Sequence, residues 1–476
     1  MHICFLNPQG NFDPTDSHLT EHPDFGGQLV YVKEISMALT RLGYRVDIVT
    51  RRVVDPEWPE FSAPLDYYPG YEERLRIVRV PCGGDAFLAK EQLWEHMPAF
   101  IAALVDFYAG GLPDIATAHY GDGGYCGVLL QQTAGLQFTF TGHSLGAQKL
   151  DKLGMNLDNA AAMEERYRFS TRIAAERLSM RRAVSIITST RQEHEQQYSH
   201  PLYQGAVDVD GSGFRVIPPG VNTEIFTTTP GGLDAGVAER LQTLHDAGEP
   251  YIIVSSRLDE KKNILGVVRA YAADPELQRA ARLGLFVRGV SDPFTSIAGL
   301  PEQEIQVLQP ILETISVAGV RDRVSFFDIR SQRELAATYR AFARRGSVFA
   351  LIAFYEPFGL APIEAAACGL AVVATSNGGP AEIFADGSGV LVEPTDSDAI
   401  GRGLREALQH ADDYAARGIE RVRTTYTWDR TAEGYAKVLT EALAKHVPPT
   451  EAVPDLDATE RLHEYLASRA ADTKRP

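Results

Sequence analysis

Glu356 and Glu364 stand on either side of Gly359 in the run F-Y-E-P-F-G-L-A-P-I-E-A-A-A, from Phe354 to Ala367. Pro357 biases Glu356 to an extended backbone and keeps it outside the helix that follows. The residues after Gly359 are dense in Ala, Leu and Glu, which predicts that helix. Pro362 is tolerated in its first turn, where a missing donor would be unpaired anyway, and Glu364 falls about one turn in. Gly359 permits a tight turn and leaves main-chain amides uncovered. A helix N-terminus of this kind after a strand suits an anion such as a diphosphate. Carboxylates repel phosphate, so Glu356 and Glu364 should hold something neutral and rich in hydroxyls. Sugars on either side of a diphosphate meet that requirement. An ordinary strand–loop–helix crossover with solvated glutamates would carry the same residues.

Cations stand at other strand ends. The run S-S-R-L-D-E-K-K-N (255–263) begins where the apolar segment 251–255 stops. From there Arg257 and Lys262 could reach a diphosphate at the Gly359 helix and stabilise charge on it as it leaves. In the first half, T-G-H-S (141–144) follows the strand-like Phe138 to Thr141. Gly142 is expected to supply an unusual backbone, and His143 to project into a cleft. H-Y-G-D-G-G (119–124) offers Tyr120 to the same space. Gly26, Gly27 and Gln28 open the first helix, where glycine lets backbone approach a ligand closely. No G-x-G-x-x-G is present, which counts against a nicotinamide dehydrogenase. Lys90, Lys149, Arg168 and Arg172 complete the candidates, the last two sharing a helix face. A basic cluster behind a sugar-sized pocket recognises phosphate by charge-assisted hydrogen bonds, although each cation alone could be solvated surface charge. D-V-D (208–210) resembles a metal-binding D-x-D, but its Gly-rich loop points to a solvent-exposed segment. No metal site is expected.

The elements that must position these residues alternate. Apolar strand-like runs at 2–8, 46–50, 75–80, 115–118, 138–141 and 185–188 are separated by helical segments. In the first of these segments Leu29, Val32, Ile35, Leu39 and Leu42 recur at helical spacing up to Gly43. After the rigid V-I-P-P-G-V-N (216–222) the alternation restarts at 251–255, 283–288, 324–327, 347–353 and 371–374. Such alternation predicts an α/β protein of two Rossmann-like, doubly wound parallel-sheet domains, with chemistry at the strand C-terminal ends. The expected division is 1–218 for the first domain and 219–425 for the second, roles that the resemblance described below names as acceptor and donor. Residues 426–476 form C-terminal helices that return to the first domain. With ligand groups on both sides of a hinge, the two domains are expected to approach each other when substrates bind.

The 476 residues carry a net charge of −17, with 44% hydrophobic residues. The acidity argues against nucleic-acid and anionic-membrane partners. The four cysteines, Cys4, Cys82, Cys126 and Cys368, show no zinc spacing and sit in apolar company, as buried free thiols do. The first strand leaves no room for a signal peptide, and no apolar run is long enough to span a membrane. A cytoplasmic protein is expected.

R-L-D-E-K-K-N together with E-P-F-G-L-A-P-I-E resembles the donor site of retaining glycosyltransferases with the GT-B fold. N-P-Q-G-N-F, H-P-D-F-G-G-Q-L-V-Y-V-K-E, T-R-R, C-G-G-D, L-A-K-E, H-Y-G-D-G-G and T-F-T-G-H-S-L-G-A-Q-K together resemble sucrose-phosphate synthases, in particular the short bacterial form without a phosphatase domain. The resemblance extends to about Tyr426. It implies transfer of glucose from UDP-glucose to the 2-hydroxyl of fructose 6-phosphate with retention, giving sucrose 6-phosphate and UDP. It places Arg257 and Lys262 on the diphosphate, Glu356 near the transferred sugar, and Glu364 on the ribose. Gly27, Phe358, Gly359 and Leu360 complete the donor site. It assigns Gly26, Gln28, Lys90, Tyr120, Ser144, Lys149 and Arg172 to the acceptor, and His143 to the transferred glucose. Arg168 has weaker support. No cofactor is implied beyond the nucleotide sugar, with magnesium at most an activator. A separate sucrose-phosphate phosphatase would remove the product phosphate. The rival readings are a mannosylfructose-phosphate synthase using GDP-mannose, a sucrose synthase using free fructose, and a non-catalytic nucleotide-sugar sensor.

Overall fold

The computed structural model describes residues 1–17, 27–243, 248–329, 331–445 and 452–472. It divides into two compact units, Met1–Pro219 with Thr431–Pro476, and Gly220–Arg430. Each is built on one sheet.

The first sheet contains β1 (His2–Leu6), β2 (Arg45–Arg51), β3 (Leu65–Asp66), β4 (Leu75–Val80), β5 (Ile115–His119), β6 (Phe138–Thr141), β7 (Ser185–Thr188) and β8 (Phe214–Val216). Their order is β3-β4-β2-β1-β5-β6-β7-β8. Every pair is parallel except β3 with β4. Ile3 lies between Val46 on one side and Ile115 on the other. The second sheet contains β9 (Tyr251–Val254), β10 (Arg282–Phe286), β11 (Val324–Phe327), β12 (Val348–Leu351), β13 (Ala371–Thr375) and β14 (Val390–Val392). It is wholly parallel, in the order β11-β10-β9-β12-β13-β14. Strands β5, β9, β12 and β13 are buried along their whole length. Helices on both faces of a parallel sheet demand that.

Strand order reverses beside β1 and β5 in one sheet, and beside β9 and β12 in the other. The loops leaving those strands diverge to opposite faces and open a crevice at the strand C-terminal ends. His119 ends β5, His143 follows β6, Arg257 and Lys262 follow β9, and Glu356 follows β12. The fold thus carries the chemistry-bearing residues of each unit to that unit's switch point.

The first helix, Gly27–Arg41, stops just short of Gly43, whose φ is +92°. Strands β3, β8 and β14 lie outside the alternation read from the sequence. Each has two or three residues, too few to show a period. The helix Trp428–Leu443 brings Tyr435 to the first sheet, where the Tyr31 hydroxyl donates to its hydroxyl at 3.0 Å. The Tyr435 hydroxyl also lies 3.1 Å from the Thr141 hydroxyl. A last helix spans Thr459–Asp472. All four cysteines are buried free thiols. Among the described residues no helix is long and apolar enough to cross a membrane.

Candidate functional site

In the second unit the helix Leu360–Ala367 starts at Gly359, whose backbone is left-handed at φ +105°. Only glycine adopts that conformation without strain. Pro362 and Glu364 therefore lie in the first turns, as their spacing predicts. The preceding loop is laid against a second one. The Glu356 amide donates to the Asn377 carbonyl at 3.2 Å, and the Gly379 amide to the Glu356 carbonyl at 2.8 Å. A Cβ at Gly378 would lie 2.0 Å from the Glu356 carbonyl oxygen, and one at Gly379 would lie 2.2 Å from that of Phe358. This S-N-G-G-P loop was not among the residues singled out from the sequence. Its position directly after β13 was the available signal.

The Lys262 ammonium donates to Glu356 Oε2 at 2.6 Å. The expected diphosphate cation and the expected sugar carboxylate are thus one ion pair, with both side chains partly covered. Arg257 is exposed, so its guanidinium remains available to a mobile anion. Glu364 makes no side-chain hydrogen bond among the described residues, and burial holds its carboxyl up at about 7. Phe358 turns its ring into the core against Tyr426, 6.1 Å between centroids. What Phe358 can offer a ligand is its amide. Leu360 is partly exposed at the helix start.

In the first unit one narrow cavity is lined by Gln9, Lys90, Trp94, Tyr120, Asp122 and Arg172, among others. Three of the expected acceptor residues thus meet. Arg172 is 5% exposed and stacks over the Tyr120 ring at 4.5 Å. Its Nε donates to Glu176 at 2.9 Å, and its Nη2 donates to the Ser144 carbonyl. Arg172 therefore holds the loop after β6 in place while presenting a cation to the cavity. Lys149 lies 4.6 Å over the ring of Tyr167, which lines the same cavity. Arg168, by contrast, is a half-buried partner of Glu95 at 3.2 Å and does not line the cavity. Gln28 donates to Asn7 Oδ1 at 2.5 Å. Gly27 is the exposed first residue of its helix, and Gly26 lies outside the described residues. Asp208 and Asp210 are exposed, as their loop predicts.

Asp122 was not anticipated, although it stands inside H-Y-G-D-G-G. It is 3% exposed, and among the described residues its Oδ2 has no hydrogen-bond partner. Burial raises its carboxyl to about 6, with the Gly123 amide and then Arg172 pulling the other way. His143 also departs from expectation. The left-handed residue of T-G-H-S is His143 itself, at φ +54°, and not Gly142. Gly142 is needed for space, because a Cβ there would come within 2.6 Å of Leu145 and 2.8 Å of the Tyr198 hydroxyl. Burial lowers the His143 imidazole to about 4, so the ring is neutral near pH 7.

A family model for "Glycosyl transferases group 1" matches residues 238–425, and one for a "Glycosyl transferase 4-like domain" matches residues 26–209. A probable sucrose-phosphate synthase of Thermosipho melanesiensis is 43% identical over 445 residues, 92% of this chain and 96% of the relative. A probable sucrose-phosphate synthase of Craterostigma plantagineum is 31% identical, over 85% of this chain but 44% of the relative. The chain therefore spans less than half the length of that plant relative. Among solved structures, a sucrose-phosphate synthase from Thermosynechococcus elongatus superimposes with a TM-score of 0.65 at 24% identity, covering 93% of this chain and 99% of the other. Anabaena Alr3699/HepE, solved with UDP and glucose, gives 0.59 at 17% identity, covering 93% and 100%. These likenesses identify the GT-B fold. The bacterial relative, matched almost end to end, decides the family: this chain belongs to the sucrose-phosphate synthases and is a hexosyltransferase of that type.

Proposed function

We propose that the chain transfers glucose from UDP-glucose to the 2-hydroxyl of fructose 6-phosphate with retention of configuration. The observation that carries this reading is the cavity where Lys90 and Arg172 present cations beside Tyr120. A free sugar has no use for two cations, whereas a phosphate on the acceptor does. UDP-glucose as donor is supported by the relatives named above, by the exposed Arg257, and by Glu364, whose carboxyl in the Gly359 helix makes no side-chain hydrogen bond among the described residues.

In this reading the uncovered amides at that helix, with Arg257 and Lys262, hold the diphosphate and stabilise its growing charge. The bond between glucose C1 and the diphosphate oxygen lengthens through an oxocarbenium-like state. The fructose 2-hydroxyl attacks from the same face and gives its proton to the departing phosphate oxygen. Glu356, held by Lys262, faces the cationic sugar, and His143 holds its hydroxyls. The protein supplies positioning and electrostatics. No cofactor or metal is required in this reading, so turnover should survive EDTA. The product would pass to a separate phosphatase.

Nucleotide release should be measured for UDP-glucose, ADP-glucose, GDP-glucose and GDP-mannose, each with fructose and with fructose 6-phosphate. Turnover confined to UDP-glucose with fructose 6-phosphate is expected. Preference for GDP-mannose or for free fructose would replace the reading with one of its rivals, and no release with any pair would leave a sensor.

A further inference from the structure

We propose that Thr117 and His119 act as positioning residues that fix His143 as the tautomer protonated on Nδ1, so that it meets its ligand as a hydrogen-bond donor. Thr117 and His119 lie two apart on β5, pointing to the same face, and both are wholly buried. The Thr117 hydroxyl is 3.1 Å from His119 Nε2, and His119 Nδ1 is 2.8 Å from His143 Nε2. The two imidazoles stack, with centroids 5.1 Å apart. Phe5 stacks on His119, and the edge of Tyr31 meets His143.

Each ring is neutral. Burial lowers both, and for His119 the neighbouring His143 lowers it further. The Tyr31 hydroxyl is already directed to Tyr435. A neutral imidazole has one donor nitrogen and one acceptor nitrogen. Two proton arrangements therefore satisfy the chain of contacts. In one, the Thr117 hydroxyl donates to His119 Nε2, His119 Nδ1–H donates to His143 Nε2, and His143 carries its proton on Nδ1. In the other every bond is reversed, and Thr117 accepts.

The hydroxyl decides between them. Among the described residues Thr117 makes no other hydrogen bond, so in the reversed arrangement its own proton would be buried without an acceptor. Orphaned buried donors are rarer than under-used acceptors. In the favoured arrangement His143 Nδ1–H is the ring's one donor left for a ligand. For sugar transfer, which rests on the function proposed above, that donor meets a hydroxyl oxygen and cannot take up a proton from it.

The tautomer can be read without turnover. Protein labelled with 15N-histidine should show, at pH 7.5, a His143 signal with a pyrrole-like Nδ1 and a pyridine-like Nε2, assigned by its loss in His143→Asn. A proton on Nε2, or a charged ring, would overturn the proposal. Thr117→Val should narrow the gap between the two tautomers, so that the Nε2–H form appears in the 15N spectrum, and should lower kcat by up to about twofold with little change in either KM, since an even mixture halves the competent population. Thr117→Ser, which keeps the hydroxyl, should restore both readouts. An unchanged tautomer and kcat in Thr117→Val would remove Thr117 from the role. A protein inactive on every sugar yet showing Nδ1–H would leave this proposal standing and remove the function.

Discussion

Glu364 shows how one carboxyl can report on the ligand. Burial raises it to about 7 from an ordinary value of 4.5. The folded protein therefore holds a proton there that the unfolded chain has already lost between those values. The sign follows: this group favours the fold below pH 4.5, and that contribution is lost as pH rises through 7. Ribose hydroxyls donate to a carboxylate, so nucleotide binding should favour the ionised form and release a proton. UDP affinity should rise roughly tenfold from pH 6 to pH 8. Calorimetry in two buffers of different ionisation enthalpy should count the proton released. Glu364→Gln, which cannot ionise, should bind more weakly and lose the part of the pH response that Glu364 causes. A wild-type and a Gln variant with the same slope would show that the carboxyl does not meet the ribose. Glu356 makes a second case. Its contact should strengthen only as positive charge develops on the sugar, so Glu356→Gln should lower kcat far more than donor affinity. Unchanged turnover would remove it from the chemistry. The placement of both glutamates, one in the loop after β12 and one in the helix behind Gly359, was legible in the sequence because a glycine turn after a strand marks it. Asp122 and His119 were not, because what distinguishes them is a missing or a shared hydrogen bond, and those exist only once β5, β6 and the helix Phe169–Arg182 are together.

Strands with four or more residues were legible as buried apolar runs, and the chemistry at their C-terminal ends followed from parallel topology. The loops were harder. Glu356 is held by the loop 376–379, which approaches so closely that Gly378 and Gly379 admit no side chain. Nothing in a local reading of S-N-G-G-P says which strand-end loop it will meet. The contact makes a prediction at the level of the element. Gly378→Ala would drive a methyl into the Glu356 carbonyl and impose φ +98° on a residue that resists it. Overpacking of this kind costs about 1–3 kcal/mol. The loop should shift, and the Lys262–Glu356 pair with it. We expect a lower melting temperature, and a fall in kcat/KM for the donor larger than that for the acceptor. A variant with wild-type donor kinetics would show that the second loop does not position the first.

For the molecule as a whole, length and alternation pointed to two α/β sheets, and the structure contains two. The problem at this scale is charge. In the reading above, a chain at −17 has to bind a diphosphate on one unit and a phosphate on the other. Long-range attraction cannot do that, so local cations must. The first unit offers Lys90, Lys149 and Arg172, but these are not equivalent. Arg172 is buried, paired to Glu176, and holds the Ser144 carbonyl. Its removal would leave a buried carboxylate unpaired and release the loop that carries His143, so every substrate would suffer. Lys90 lines the cavity and Lys149 overlies one of its walls, and both are only partly covered. Lys90→Ala/Lys149→Ala is therefore the cleaner test of acceptor choice. Charge-assisted hydrogen bonds contribute roughly 1.5–3 kcal/mol each. Losing two should lower kcat/KM for fructose 6-phosphate on the order of a hundredfold or more, at about 1.4 kcal/mol per tenfold. Activity on free fructose, small at the outset, should hardly change, because the lost ammonium groups never touched it. Equal loss on both acceptors would mean that the lysines hold the fold and that the phosphate is recognised elsewhere.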